Sequence, residues 1–152
     1  MDIHANGHGG PANPADKVEL RRLLRERRRQ FLTALTAGER AAANQALTDR
    51  VVRRLGSSRV LAGYAAIGNE CDPMAILAAA AAAGARIALP HIAAAEEPMR
   101  FLAWQPGDPL VAGPGGLLQP ADDVEPLSPD MVLVPLIGFD RQLHRLGQGA
   151  GH

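Results

Sequence analysis

The sequence predicts an α/β layered domain, its sheet partly parallel, with two helices leading in. Three observations carry this. Apolar runs at 59–67, 86–90 and 130–137 have strand length and lack the alternation of a sheet with one wet face. Between the first two lie an Asp72-Pro73 helix start and a Gly84 stop, so strand, helix and strand follow as a β-α-β unit. Upstream, apolar residues recur at helical spacing. A chain of 152 residues suits one domain with a real core.

In chain order, residues 1–15, "MDIHANGHGGPANPA", lack the basic start and apolar segment of a signal peptide. Their Gly, Asn and Pro content reads as a disordered leader, leaving 16–152 as the folded domain. Asp16 is placed as an N-cap, with Glu19 completing a capping box. Leu20, Leu23, Leu24, Phe31, Leu32 and Leu35 then fall on one helical stripe. Gly38 breaks the run. A second helix is expected from Glu39 to Leu55, with Leu47, Val51 and Leu55 buried and Gly56 as its stop. "RVLAGYAAI" (59–67) reads as a strand covered on both faces. The next helix runs from Asp72-Pro73 to about Ala83, and "RIALP" (86–90) is the next strand. "MRFLAW" (99–104), a Pro/Gly-rich excursion (106–129) and the buried strand "DMVLVPLI" (130–137) complete the reading. In such sheets ligands gather beyond the carboxyl ends of the strands. Asn69 and Glu70, His91, and the final loop each follow one strand, so all three are expected at one rim.

Composition narrows the function classes. Aromatics are 3% of the chain, so its 47% hydrophobic content builds a core from Leu, Ile, Val and Ala. No apolar run approaches the roughly 20 residues that span a bilayer. Cys71 is the single cysteine, which excludes an intrachain disulfide and a cysteine metal cluster. A cytoplasmic location is the expectation. Sixteen basic residues balance sixteen acidic ones, which argues against a general nucleic-acid binder. The histidines 4, 8, 91, 144 and 152 show no metal-ligand spacing.

Three features carry candidate chemistry. Gly147, Gly149 and Gly151 alternate, permitting positive dihedrals and a nest of backbone N–H groups for an anion; the same pattern also makes plain turns. Arg145 upstream favours phosphate. Lys17, Arg21, Arg25 and Arg28 line one helix face, either as a cationic wall for phosphate or as a solvated surface. Glu70 stands at a strand-to-helix junction, where it either favours the helix dipole or grips a polar ligand.

Together the segments "KVELR" (17–21), "GNECDP" (68–73), "ALPHI" (88–92), "MRF" (99–101), "LLQP" (117–120) and "MVLVPLIGFDRQLHRLGQGAG" (131–151) are specific. From about Lys17 to His152 the chain resembles the 5-formyltetrahydrofolate cyclo-ligase, or methenyltetrahydrofolate synthetase, family. The resemblance implies a three-layer α/β/α fold and a monomer that is dependent on ATP and Mg²⁺. It implies conversion of 5-formyltetrahydrofolate to 5,10-methenyltetrahydrofolate through phosphorylation of the formyl oxygen and ring closure by N10. Neither nucleic acid nor membrane is an implied partner. Lys17 and Arg21 match the basic pair that contacts ATP. Arg145, Leu146, Gly147, Gln148, Gly149, Ala150, Gly151 and His152 match the nucleotide loop, and its part from Gln148 to His152 also borders the folate. Glu70 matches the acid that holds the folate, with Ala65 at a neighbouring folate position.

Two departures stand out. Gln119 occupies a position where many members carry Glu before proline. The family loop also continues through an aromatic residue into Tyr-Asp-Arg, whose aspartate binds magnesium. The resemblance therefore implies a missing C-terminal part and no magnesium ligand in this chain. A non-catalytic nucleotide- or folate-binding remnant is the alternative reading, and an RNA contact by the arginine-rich helix is a third.

Overall fold

The computed structural model describes residues 14–56, 59–94 and 96–149. Helix α1 (Pro14–Ala34) begins ahead of the expected cap, and Asp16 lies within its first turn. Proline suits a helix start because its missing N–H would have no partner there. Thr36 caps α2 (Ala37–Leu55): its hydroxyl accepts the Glu39 N–H at 3.2 Å, and the Glu39 carboxylate accepts the Thr36 N–H at 2.9 Å. This reciprocal capping box draws Gly38 into the helix, so α2 starts two residues before the expected Glu39. Its packed stripe runs through Thr48, Val51, Val52 and Leu55, whereas Leu47 is 38% exposed.

Strand β1 (Val60–Ala62) is shorter than the apolar run that predicted it. The Asp130 carboxylate accepts both the Val60 and the Arg59 N–H at 2.9 Å, which fixes where the strand begins. Those two bonds hold the Asp130 carboxyl below the usual aspartate range. Beyond Gly63 the chain leaves the sheet, and the Tyr64 hydroxyl donates to the Cys71 carbonyl at 2.7 Å. Asp72 then accepts the Met74 N–H at 3.0 Å at the head of α3 (Met74–Ala82). Gly84, with φ +94°, turns the chain out of that helix as expected.

Seven further strands follow among the described residues: β2 (Arg86–His91), β3 (Arg100–Trp104), β4 (Val111–Ala112), β5 (Leu118–Gln119), β6 (Met131–Val132), β7 (Gly138–Phe139) and β8 (Arg145–Leu146). The main sheet has the order β3-β2-β1-β6, with β1 parallel to both of its neighbours and β3 antiparallel to β2. The fold is therefore mixed α/β with a partly parallel sheet. Two antiparallel hairpins, β4–β5 and β7–β8, flank it.

The core gathers Leu55 from α2, Ile76, Leu77 and Ala80 from α3, and Leu61, Ile87, Leu89 and Trp104 from the sheet. A Cβ on Gly63 would come 2.7 Å from Leu77 Cδ1, so glycine is what lets α3 approach β1. The apolar stripe of α1 stays outside the core, since Leu20, Leu23 and Phe31 are exposed. The run 130–137 is not a buried strand either: only Met131 and Val132 pair, and Val134 is 56% exposed. Among the described residues nothing covers these exposed side chains, and periodicity registers only that a face is apolar.

Candidate functional site

The site forms where α1 crosses the β7–β8 hairpin and the loop that follows it. A Cβ on Gly138 would lie 2.8 Å from Leu24 Cδ1, so the hairpin presses close against α1 at a residue with no side chain. Asp140 shapes the hairpin turn. Its Oδ1 accepts the Gln142 and His144 N–H groups at 2.9 Å, and its Oδ2 lies 2.8 Å from His144 Nδ1. The His144 hydrogen bond is the main reason that the Asp140 carboxyl sits below its ordinary range. The Ile137 N–H donates to the Leu146 carbonyl at 2.9 Å, carrying the pairing to the start of the loop.

Arg21 and Arg25, one turn apart on α1, take hold of consecutive loop carbonyls. Arg21 Nε donates to Gly147 O at 3.0 Å, and Arg25 Nη2 donates to Gln148 O at 3.0 Å. The basic face expected from the sequence thus first serves the protein's own backbone. Its i, i+4 spacing gives two guanidinium groups about 6 Å apart along the axis, a span suited to adjacent peptide carbonyls. Among the described residues the terminal amino groups of Arg21 have no hydrogen-bond partner, which leaves them for another acceptor. Arg22 and Arg29 instead pair with Glu19 and Glu26 along the helix, at 2.7 and 2.8 Å. Arg28 has a buried Nε with no partner among the described residues.

From the loop, Gln148 reaches across to Glu70. Its Nε2 donates to Glu70 Oε1 at 2.5 Å, and Glu70 Oε2 accepts the Ile67 N–H at 2.9 Å. Lys17 lies one turn before Arg21 on the same helix. Arg145 and Leu146 lie in β8, where Arg145 pairs with Phe139 and is exposed. Ala65 is half-buried in the segment between β1 and Glu70. Ala150, Gly151 and His152 lie outside the described residues. Of the described loop glycines, Gly149 alone has a positive φ, +97°, and a Cβ there would lie 3.2 Å from the Arg21 guanidinium carbon. Side chain and backbone thus close together at that point. Cys71 borders the site, its thiol pushed up by partial burial and then by Asp72, which makes it a poor nucleophile at neutral pH.

His91 does not join this rim. It is buried, with Nδ1 3.0 Å from the Pro120 carbonyl, which makes Nδ1 the protonated donor. Nε2 stands 3.2 Å from Asp122 Oδ1 without hydrogen-bond alignment, so this is a contact by distance only. Gln119 completes that corner: its Oε1 accepts the Ile92 N–H at 3.1 Å and its Nε2 donates to the Ile92 carbonyl at 3.2 Å. A hollow of about 320 Å³ opens here, and another of about 440 Å³ lies at the Arg86 end of β2. Neither is lined by Glu70 or the described loop residues. The Gln148–Glu70 contact and the role of Arg25 were not visible in the sequence. The pairing links residues 78 apart, and no local pattern marks it.

The 5-formyltetrahydrofolate cyclo-ligase family profile matches residues 13–152. A 5-formyltetrahydrofolate cyclo-ligase from Mycolicibacterium smegmatis is 32% identical over 147 residues, which cover 91% of this chain and 73% of that protein. The solved 5,10-methenyltetrahydrofolate synthetase of Aquifex aeolicus superposes with a TM-score of 0.64 at 25% identity, covering 88% of this chain and 67% of the other. That of Mycoplasma pneumoniae gives 0.62 at 22% identity, covering 90% and 74%, and shows the shared fold. The match over nearly the whole chain, in sequence and in fold, places this protein in the 5-formyltetrahydrofolate cyclo-ligase family.

Proposed function

We propose that this chain binds ATP and 5-formyltetrahydrofolate on either side of the Gln148–Glu70 contact and couples the first to cyclisation of the second. The observation that supports this most is the contact itself. It sets the loop that the family resemblance assigns to nucleotide against the acid that it assigns to folate. When bound, ATP supplies the phosphoryl group that makes the formyl oxygen a leaving group. N10 of the folate then closes the ring and phosphate departs. The protein's part is positioning and charge neutralisation rather than nucleophilic attack.

The residues fit a nucleotide. Arg21 is held by Gly147 O through Nε, so its outer N–H groups are pre-aimed, and Gly149 leaves the close space that a Cβ would fill. Lys17, on the same helix face, adds charge. Gly147, Gln148 and Gly149 supply backbone N–H groups, and the proposal extends to Ala150, Gly151 and His152. Glu70 keeps acceptor capacity on both oxygens for the N–H donors of a pterin, with Ala65 as an adjoining small wall. For magnesium, no cluster of three His, Cys, Asp or Glu side chains occurs among the described residues, and no step here depends on one. No helix among the described residues is long and apolar enough to cross a membrane.

Methenyl-folate absorbance after addition of Mg-ATP and 5-formyltetrahydrofolate tests the activity. Glu70→Gln is expected to weaken folate binding roughly tenfold or more, the worth of a charged hydrogen bond, and to spare ATP binding. Loss of ATP affinity with folate affinity intact would put Glu70 at the wrong end of the site. Binding of either ligand without turnover would favour the non-catalytic reading.

A further inference from the structure

Arg25 makes the contact that decides which way the Gln148 carboxamide faces. Its Nη2 donates to the main-chain oxygen of Gln148 at 3.0 Å and also to the side-chain Oε1 at 3.3 Å. A carboxamide has one accepting end and one donating end. With Oε1 turned to the guanidinium, Nε2 is the end presented to Glu70, at 2.5 Å. Reversing the amide would set N–H groups against the N–H donors of Arg25 and an oxygen against the Glu70 carboxylate. Both contacts would become repulsive.

The polarity passes one residue further. Glu70 takes one N–H on each oxygen, from Gln148 and from Ile67, which fixes the carboxylate at both ends. Each oxygen keeps a free lone pair, so the pair can accept two adjacent N–H donors without further ordering. A side chain ordered in advance costs less to engage on binding.

We propose that Arg25 is a positioning residue for the folate, acting through Gln148 to hold Glu70 ready for the paired N–H donors of the pterin edge. This rests on the reading of Glu70 as the folate acid. In this reading Arg25 acts through Gln148 and not on the ligand directly.

A double-mutant cycle on the full chain tests it, with calorimetric titration of 5-formyltetrahydrofolate and, separately, of ATP. Arg25→Ala and Gln148→Ala are each expected to weaken folate binding about five- to tenfold, less than a direct hydrogen bond to a charged group is worth, because the effect reaches folate through Glu70. Because Arg25 acts through Gln148, the double variant should bind folate no more than about twofold worse than Gln148→Ala alone. ATP affinity should change less than folate affinity in all three. Should the alanine variant not fold, Arg25→Lys reads the same quantity: it keeps the charge without the guanidinium fork. It should weaken folate binding in the native background and have little effect beside Gln148→Ala. Losses that multiply would show that Arg25 acts independently of Gln148, and unchanged folate affinity in the single Arg25 variants would equally overturn the proposal. Failure of the unaltered chain to bind folate would instead overturn the functional reading, and the inference with it.

Discussion

Tyr64 donates its hydroxyl to the Cys71 carbonyl, closing the segment that carries Ala65 and Glu70. Burial, followed by the charges of Cys71, Glu70 and Asp72, pushes its phenol up to about 12. It is the only tyrosine, so phenolate absorbance reads it alone. Titration of the folded chain should show a midpoint near 12, against about 10 for a free tyrosine. The unfolded chain loses that proton first. It binds fewer protons than the folded one between about pH 10 and 12, and stability must fall as pH rises through that window. A midpoint near 10 in the folded protein would show that the hydroxyl is solvated. Gln119 is a second residue whose chemistry is specific. It satisfies both the N–H and the carbonyl of Ile92 in a buried corner. Gln119→Leu strands both groups and should cost about 1–3 kcal/mol for each, measured by denaturant unfolding. Gln119→Glu keeps an acceptor for the N–H alone, so its loss should fall between that of the leucine variant and zero.

At the scale of elements, α2 is defined by its cap. Thr36 and Glu39 satisfy one another's backbone N–H groups, and Thr36→Ala should cost about 0.5–2 kcal/mol. Equal melting temperatures for the two proteins would mean that packing alone sets that end. Helix α1 behaves differently. Phe31 is 62% exposed, and α1 meets the β7–β8 hairpin and the following loop through Leu24, Arg21 and Arg25. Its periodicity was legible as a helix, yet its apolar stripe does not face the core. A hydrophobic pattern states what a face is able to bury, and only a neighbour decides whether it does.

For the molecule as a whole, the hydrophobic core and the candidate site lie in different places. The core lies where α2 and α3 cover β1 and β2, and Leu77 is fully buried at its centre. Leu77→Ala should therefore cost about 2–5 kcal/mol. The single tryptophan, Trp104, belongs to the same cluster, so its fluorescence should report the transition. A loss below about 1 kcal/mol would mean that the site collapses around the smaller residue. The candidate site, by contrast, is joined by hydrogen bonds between segments from both ends and the middle of the chain. Arg21, Glu70 and Gln148, far apart in sequence, meet there only in the folded chain.

The β-α-β unit, the two leading helices, the partly parallel sheet and the family were all legible in the order of the residues. Each rests on local spacing or on contiguous segments such as the final glycine loop. The sequence also marked Arg21, Glu70 and Gln148 individually. Tertiary structure alone decided that β1 stops at Ala62, that the α1 stripe stays exposed, and that His91 turns to Pro120 instead of the shared rim. It alone decided that Arg25 orients Gln148 against Glu70. The physical reason is range: caps, turns and periodicity act over a few residues. Burial and long-range hydrogen bonds depend instead on which distant surface arrives opposite.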